Sequence, residues 1–72
     1  IQPAYAFKGL REGERIAVQE ALAGWGYYKG PIDGLWNAAL WTAVEDYAAD
    51  LDLTGKLDDK AGSLAVFRHI AN

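Results

Sequence analysis

The stretch Gly26-Tyr27-Tyr28-Lys29-Gly30-Pro31-Ile32-Asp33-Gly34 decides how the chain is read. Gly30-Pro31 and Asp33-Gly34 are turn-forming pairs, and between them stands one apolar residue, Ile32, too short a run for a strand. Two turns are expected to pin that side chain. Gly24 and Gly26 supply residues able to take the left-handed backbone that ends a helix, so the stretch reads as a folded connection between two helices.

Upstream, from about Glu14, Val18, Leu22 and Trp25 fall at i, i+4 and i+7, and Ala17 and Ala21 widen the same stripe. This predicts a first helix with Trp25 in the core. Glu14 in its first turn suits the positive end of the helix dipole. Downstream, Leu40, Val44, Tyr47, Ala48 and Leu51 predict a second helix, with Glu45, Asp46, Ala49 and Asp50 off the stripe. Trp41 sits beside that stripe and is expected to be partly exposed. A loop around Thr54-Gly55 follows, and Asp58 stands where its carboxylate can cap a third helix. In that helix Leu64, Phe67 and Ala71 share a face, Val66 and Ile70 widen it, and Arg68 and His69 lie near the negative end of the dipole. Ile32-Asp33-Gly34 and Leu57-Asp58-Asp59 form a weak internal echo, which duplication and chance explain equally well.

Residues 1–13 show no sustained period and are interrupted by Pro3, Gly9 and Gly13. They are expected as an irregular N-terminal arm whose Tyr5, Phe7 and Leu10 pack on the domain or on a neighbouring one. Residues 14–72 then make the domain: an all-α three-helix bundle with long turn-rich connections and no sheet.

The chain has 72 residues, 51% of them hydrophobic, which suffices for one core and not for two. Its three Trp, four Tyr and two Phe help so short a chain, since each large ring buries on the order of 150–250 Å². The absence of cysteine rules out a disulfide framework or a thiolate zinc site. A net charge of −3 with scattered lysines and arginines argues against nucleic acid. No apolar run approaches the roughly 18 residues of a membrane span, and no signal-peptide pattern opens the chain. It starts at Ile1 without methionine, as a processed product or one domain of a longer protein would.

The order Val18-Gln19, Leu22, Gly26-Tyr27-Tyr28, Gly30, Ile32-Asp33-Gly34, Ala43-Val44 and Tyr47 resembles the pattern of the peptidoglycan-binding-like domains of bacterial cell-wall enzymes. Those modules carry a leucine-glutamine pair, a Gly-Tyr-Tyr turn, an Ile-Asp-Gly loop and a helix reading Ala-Val-x-x-Phe. Leu53 to Asp58 is similar to the family's second loop, so the resemblance covers about residues 15 to 70. Departures lie nearby: Asn37-Ala38 stands for Gly-Pro, Leu40 for threonine, Tyr47-Ala48 for Phe-Gln, Asp52 for glycine and Ala61 for threonine. Asn37 is expected to keep the turn because asparagine tolerates left-handed backbone.

The resemblance implies a non-catalytic module in the bacterial envelope, periplasmic or secreted, that binds peptidoglycan through glycan or stem peptide and anchors a linked or partner enzyme. The arm offers a second contact, to a partner protein. The competing reading is a protein-interaction or structural domain that keeps the fold without glycan binding, favoured by the departures at Ala38, Leu40 and Ala48. Candidate ligand-binding residues are Tyr28, Asp33, Gly34, Trp36, Asn37 and Trp41. Asp33 has two compatible readings, a carboxylate facing ligand and a turn residue bonding its own backbone amides. Aromatic faces stack on sugar rings, which places Trp36 and Trp41 among the candidates. One of Tyr27 and Tyr28 is expected inward and the other outward. No cofactor, metal or catalytic residue is expected: His69 stands alone near a helix end, and Asp58-Asp59 and Glu45-Asp46 are neighbours that point apart.

Overall fold

In the computed structural model, which describes residues 2–72, helices and turns account for all regular structure, with no strand among the described residues. Four α-helices, α1 (Gln2–Lys8), α2 (Glu12–Gly24), α3 (Ala38–Asp50) and α4 (Lys60–Ala71), are joined by loops and a 3₁₀ turn at Thr54–Asp58. The last three are the expected bundle, and α4 lies at its centre, packed against α1, α2 and the 3₁₀ turn.

The first helix differs from expectation. Where residues 1–13 were to be an irregular arm, Gln2–Lys8 is helical, with Pro3 in the first turn, where a missing N–H does little harm. Ile1 lies outside the described residues. Ala6, Phe7 and Leu10 are buried, and the Phe7 ring meets Phe67 of α4 edge-on at 5.5 Å and Trp36 at 5.4 Å. Seven residues make fewer than two turns, too few for a period of 3.6 to be read, so packing against α4 stabilises this helix more than propensity does.

Helices α2 and α3 end alike. Gly26 takes φ +89° after α2, and the Tyr27 N–H returns to the Leu22 carbonyl at 2.8 Å. Asp52 takes φ +58° after α3, and the Leu53 N–H returns to the Ala48 carbonyl at 2.7 Å. Both are Schellman-type endings with a left-handed residue just past the helix. A glycine, which the resembled family carries at this position, would take this backbone without a Cβ contact, whereas Asp52 takes it with one.

The helix starts correct two expectations. Asn37 is not left-handed: at φ −150° its side-chain oxygen caps α3 by accepting the Leu40 N–H at 2.8 Å. Asp59, not Asp58, caps α4, accepting the Gly62 N–H at 2.6 Å. Asp58 belongs to the 3₁₀ turn, which leaves the following extended residue to present its carboxylate to the helix amides. Gly62 is required there, because a Cβ would collide with the Lys56 backbone carbonyl. On α4 the buried line runs through Ser63, Val66, Phe67 and Ile70, with Leu64 and Ala71 at its margins.

Candidate functional site

The Gly26–Gly34 connection is held from behind by a buried polar side chain. Gln19, in the middle of α2, is fully buried, a setting a primary amide tolerates only when its hydrogen bonds are made. Its oxygen accepts the backbone N–H groups of Asp33 at 3.0 Å and Gly34 at 2.7 Å. Its nitrogen donates to Asp33 Oδ1 at 3.2 Å and to the Leu35 carbonyl at 2.9 Å. Two acceptor and two donor capacities are thereby filled by one loop. Arg15, one turn earlier, donates through Nε to the Gly34 carbonyl at 2.8 Å and through a terminal nitrogen to the Leu10 carbonyl at 2.6 Å, tying the loop to the segment after α1.

Within the loop Tyr28 turns inward and Tyr27 stays half-buried, which resolves the pair. Tyr28 Oη donates to the Pro31 carbonyl at 2.6 Å and accepts from Asn37 Nδ2 at 3.0 Å. The ring folds so closely over Gly30 that a Cβ there would lie 2.6 Å from the hydroxyl. Ile32, expected to be pinned between its turns, is 43% exposed. Backbone hydrogen bonds to Gln19 hold this loop, so its apolar residue is free to face water.

The six candidate residues therefore fall into two groups. Tyr28 is buried, Gly34 is buried at φ +74°, and Asn37 is half-buried and bonded to both Tyr28 and the start of α3. Their polar atoms are engaged within the fold. Asp33, Trp36 and Trp41 reach the surface: Asp33 is exposed, and the half-buried indoles of Trp36 and Trp41 lie 6.0 Å apart. Asp33 Oδ1 also accepts the Leu35 N–H at 2.9 Å, and that bond, followed by the Gln19 amide, holds its carboxyl below the ordinary value. The turn-forming reading of Asp33 is thus present in the geometry. Beside these residues, Phe7, Lys8, Arg15, Gly34, Leu35 and Trp36 line an open cleft of about 330 Å³.

A second aromatic group forms at the other end of α3. Trp25, expected in the core, is 55% exposed. Its N–H still closes the helical bond to the Ala21 carbonyl at 3.0 Å, so it keeps the direction of the α2 stripe, but at the end of the helix it is only partly covered. Its ring stacks on Tyr47 at 5.5 Å with only 10° between planes, and Tyr27 meets Tyr47 edge-on at 5.7 Å. Tyr27 Oη donates to Asp50 Oδ2 at 2.6 Å, which raises the phenol pKa above its ordinary value. Burial raises that of Tyr47, whose hydroxyl is hydrogen-bonded to His69 Nδ1. The sequence pattern contained one signal for the buried support: Gln19 is a polar residue directly beside the apolar stripe of α2.

Among the described residues, no helix is long and apolar enough to cross a membrane, and no three His, Asp or Glu side chains gather in a group that could hold a metal ion. No curated protein and no solved structure matches the chain. A family model described as "Putative peptidoglycan binding domain" matches residues 11–60, from the cap of α2 to the start of α4. That span covers more than two thirds of the sequence and includes the Gln19-supported loop, so the chain belongs to the peptidoglycan binding domain family, whose members associate with the cell wall.

Proposed function

We propose that this domain is a non-catalytic peptidoglycan-binding module that holds a linked or partner enzyme on the wall, in the periplasm or outside the cell. The observation that carries this reading is the loop locked by Gln19, which presents exposed Asp33 beside the half-exposed Trp36 and Trp41 pair. A rigid loop loses little conformational entropy when it meets ligand. In this reading Asp33, Trp36 and Trp41 make contact, while Tyr28, Gly34 and Asn37 position them. Each site is shallow, and retention comes from repeated engagement along a polymer.

A protein-interaction role is the second reading. It is favoured by the internal bonding of Tyr28 and Asn37 and by Leu40, fully buried where the family carries a threonine. Co-sedimentation with purified peptidoglycan sacculi separates the two. The wall-binding reading expects the folded domain to pellet, and Trp36→Ala or Trp41→Ala to reduce the pelleted fraction. Failure of the folded wild type to pellet across several wall chemistries would sink it.

A further inference from the structure

The loop edge leaves unused the aromatic group at the far end of α3, and its geometry is that of a ring-stacking platform. Trp25 has one face occupied, by the parallel ring of Tyr47, which is itself only 4% exposed. A large side chain that is more than half exposed would ordinarily sample several rotamers. Here the stack against a buried ring fixes its plane and leaves the opposite face to solvent. Gly24 and Gly26 flank it, and a Cβ at either position would meet nothing within 4 Å, so no neighbour crowds the approach from those sides. At the margin of the group stands the Tyr27–Asp50 hydrogen bond, a carboxylate that can accept further hydrogen bonds beside an aromatic surface.

We infer that the outer face of Trp25 is a subsite for a pyranose ring of the glycan strand, with Asp50 accepting a hydrogen bond from a ring hydroxyl or N-acetyl amide. This rests on the wall-binding reading and names which part of the polymer the platform takes. A pyranose offers an apolar C–H face to the indole and hydrogen-bond donors around its perimeter, the complement of a flat ring in an aromatic group whose margin carries a carboxylate. Charge selects glycan over stem peptide. The Asp50 carboxylate, bonded to Tyr27, and exposed Asp46 one turn earlier on α3 disfavour a peptide's terminal carboxylate and leave neutral sugar hydroxyls unaffected. Trp41 and Asp50 are nine positions apart on α3, about 13 Å along its axis. The platform is therefore separate from the Trp36 and Trp41 edge, and one strand could engage both.

The test follows the three indole N–H resonances in ¹⁵N-labelled protein during titration with a β-1,4-linked N-acetylglucosamine tetramer and, separately, with a free stem peptide. The tetramer should move the Trp25 resonance and the peptide should not. Trp25→Ala should weaken tetramer binding by roughly tenfold, the loss of one stacking contact. Asp50→Asn, at an exposed site where the amide oxygen can still accept from Tyr27, should weaken it several-fold with an unchanged circular dichroism spectrum. A stationary Trp25 resonance at saturating tetramer, or movement with peptide alone, would overturn the platform. Sacculi distinguish the two readings: wild type and Trp25→Ala pelleting equally well removes only the platform, whereas a wild type that does not pellet removes both.

Discussion

The side-chain oxygen of Gln19 accepts the Gly34 backbone N–H at 2.7 Å across 15 positions of sequence. It joins the centre of α2 to the loop before α3 where no water reaches. Gln19→Ala would leave the N–H groups of Asp33 and Gly34 and the Leu35 carbonyl without this partner. An expected loss of about 3 kcal/mol follows from unsatisfied buried groups. Urea unfolding should show a lower midpoint at unchanged m-value. Gln19→Glu should also destabilise, because it replaces both donors with a negative charge facing Asp33 Oδ1.

Asp52 holds a left-handed backbone at φ +58° where its counterpart after α2 is Gly26. Relief of the Cβ contact should make Asp52→Gly more stable by about 0.5–1 kcal/mol, despite the greater freedom of glycine in the unfolded chain. Gly34→Ala, at φ +74°, should go the other way by about 1–2 kcal/mol. Thermal melts of the two variants against wild type check the opposite signs.

Phe7 fills space between Phe67 and Trp36, so α1 belongs to the core although it precedes the matched family segment. Phe7→Ala should destabilise by about 3–5 kcal/mol. Truncation before Arg11 should in addition red-shift tryptophan emission, because Trp36 loses its cover. An unshifted spectrum in a folded truncation would contradict the packing of α1 on Trp36.

Asp33 titrates below its ordinary value of 3.8 because the folded loop bonds its ionised form. The unfolded chain therefore takes up this proton first as pH falls. The stabilising contribution is fully present above about pH 4 and disappears as pH drops through the folded value. Asp33→Asn should flatten the acid limb of the stability curve below pH 4 relative to wild type, measured as melting temperature against pH. An unchanged limb would show that the Leu35 and Gln19 bonds do not favour the carboxylate.

The three longer helices and the bend between α2 and α3 are legible in the amino-acid order alone. Apolar spacing over a dozen residues reports a buried face, and glycine beside turn-forming pairs reports a chain reversal. Trp25 shows where that legibility stops: its spacing from Val18 and Leu22 matches the core stripe and it keeps helical geometry, yet at the end of α2 its ring stacks on Tyr47 and stays 55% exposed. The assignment of the α4 cap to Asp58 failed on the same local scale, since the 3₁₀ turn consumes one more residue than the pattern revealed.

Local patterns along the chain are enough for an all-α protein, for the positions of α2, α3 and α4, and for the motif order that places it in its family. The packing of the folded chain adds that α1 joins the core through Phe7, that Gln19 supports the loop, and that Tyr28 and Asn37 point inward while Trp25 stays more than half exposed. The reason is physical. Helical periodicity and turn chemistry act over a few neighbouring residues, whereas burial of a ring or satisfaction of a buried amide depends on partners such as Phe67 and Gly34 that meet only after the chain has folded.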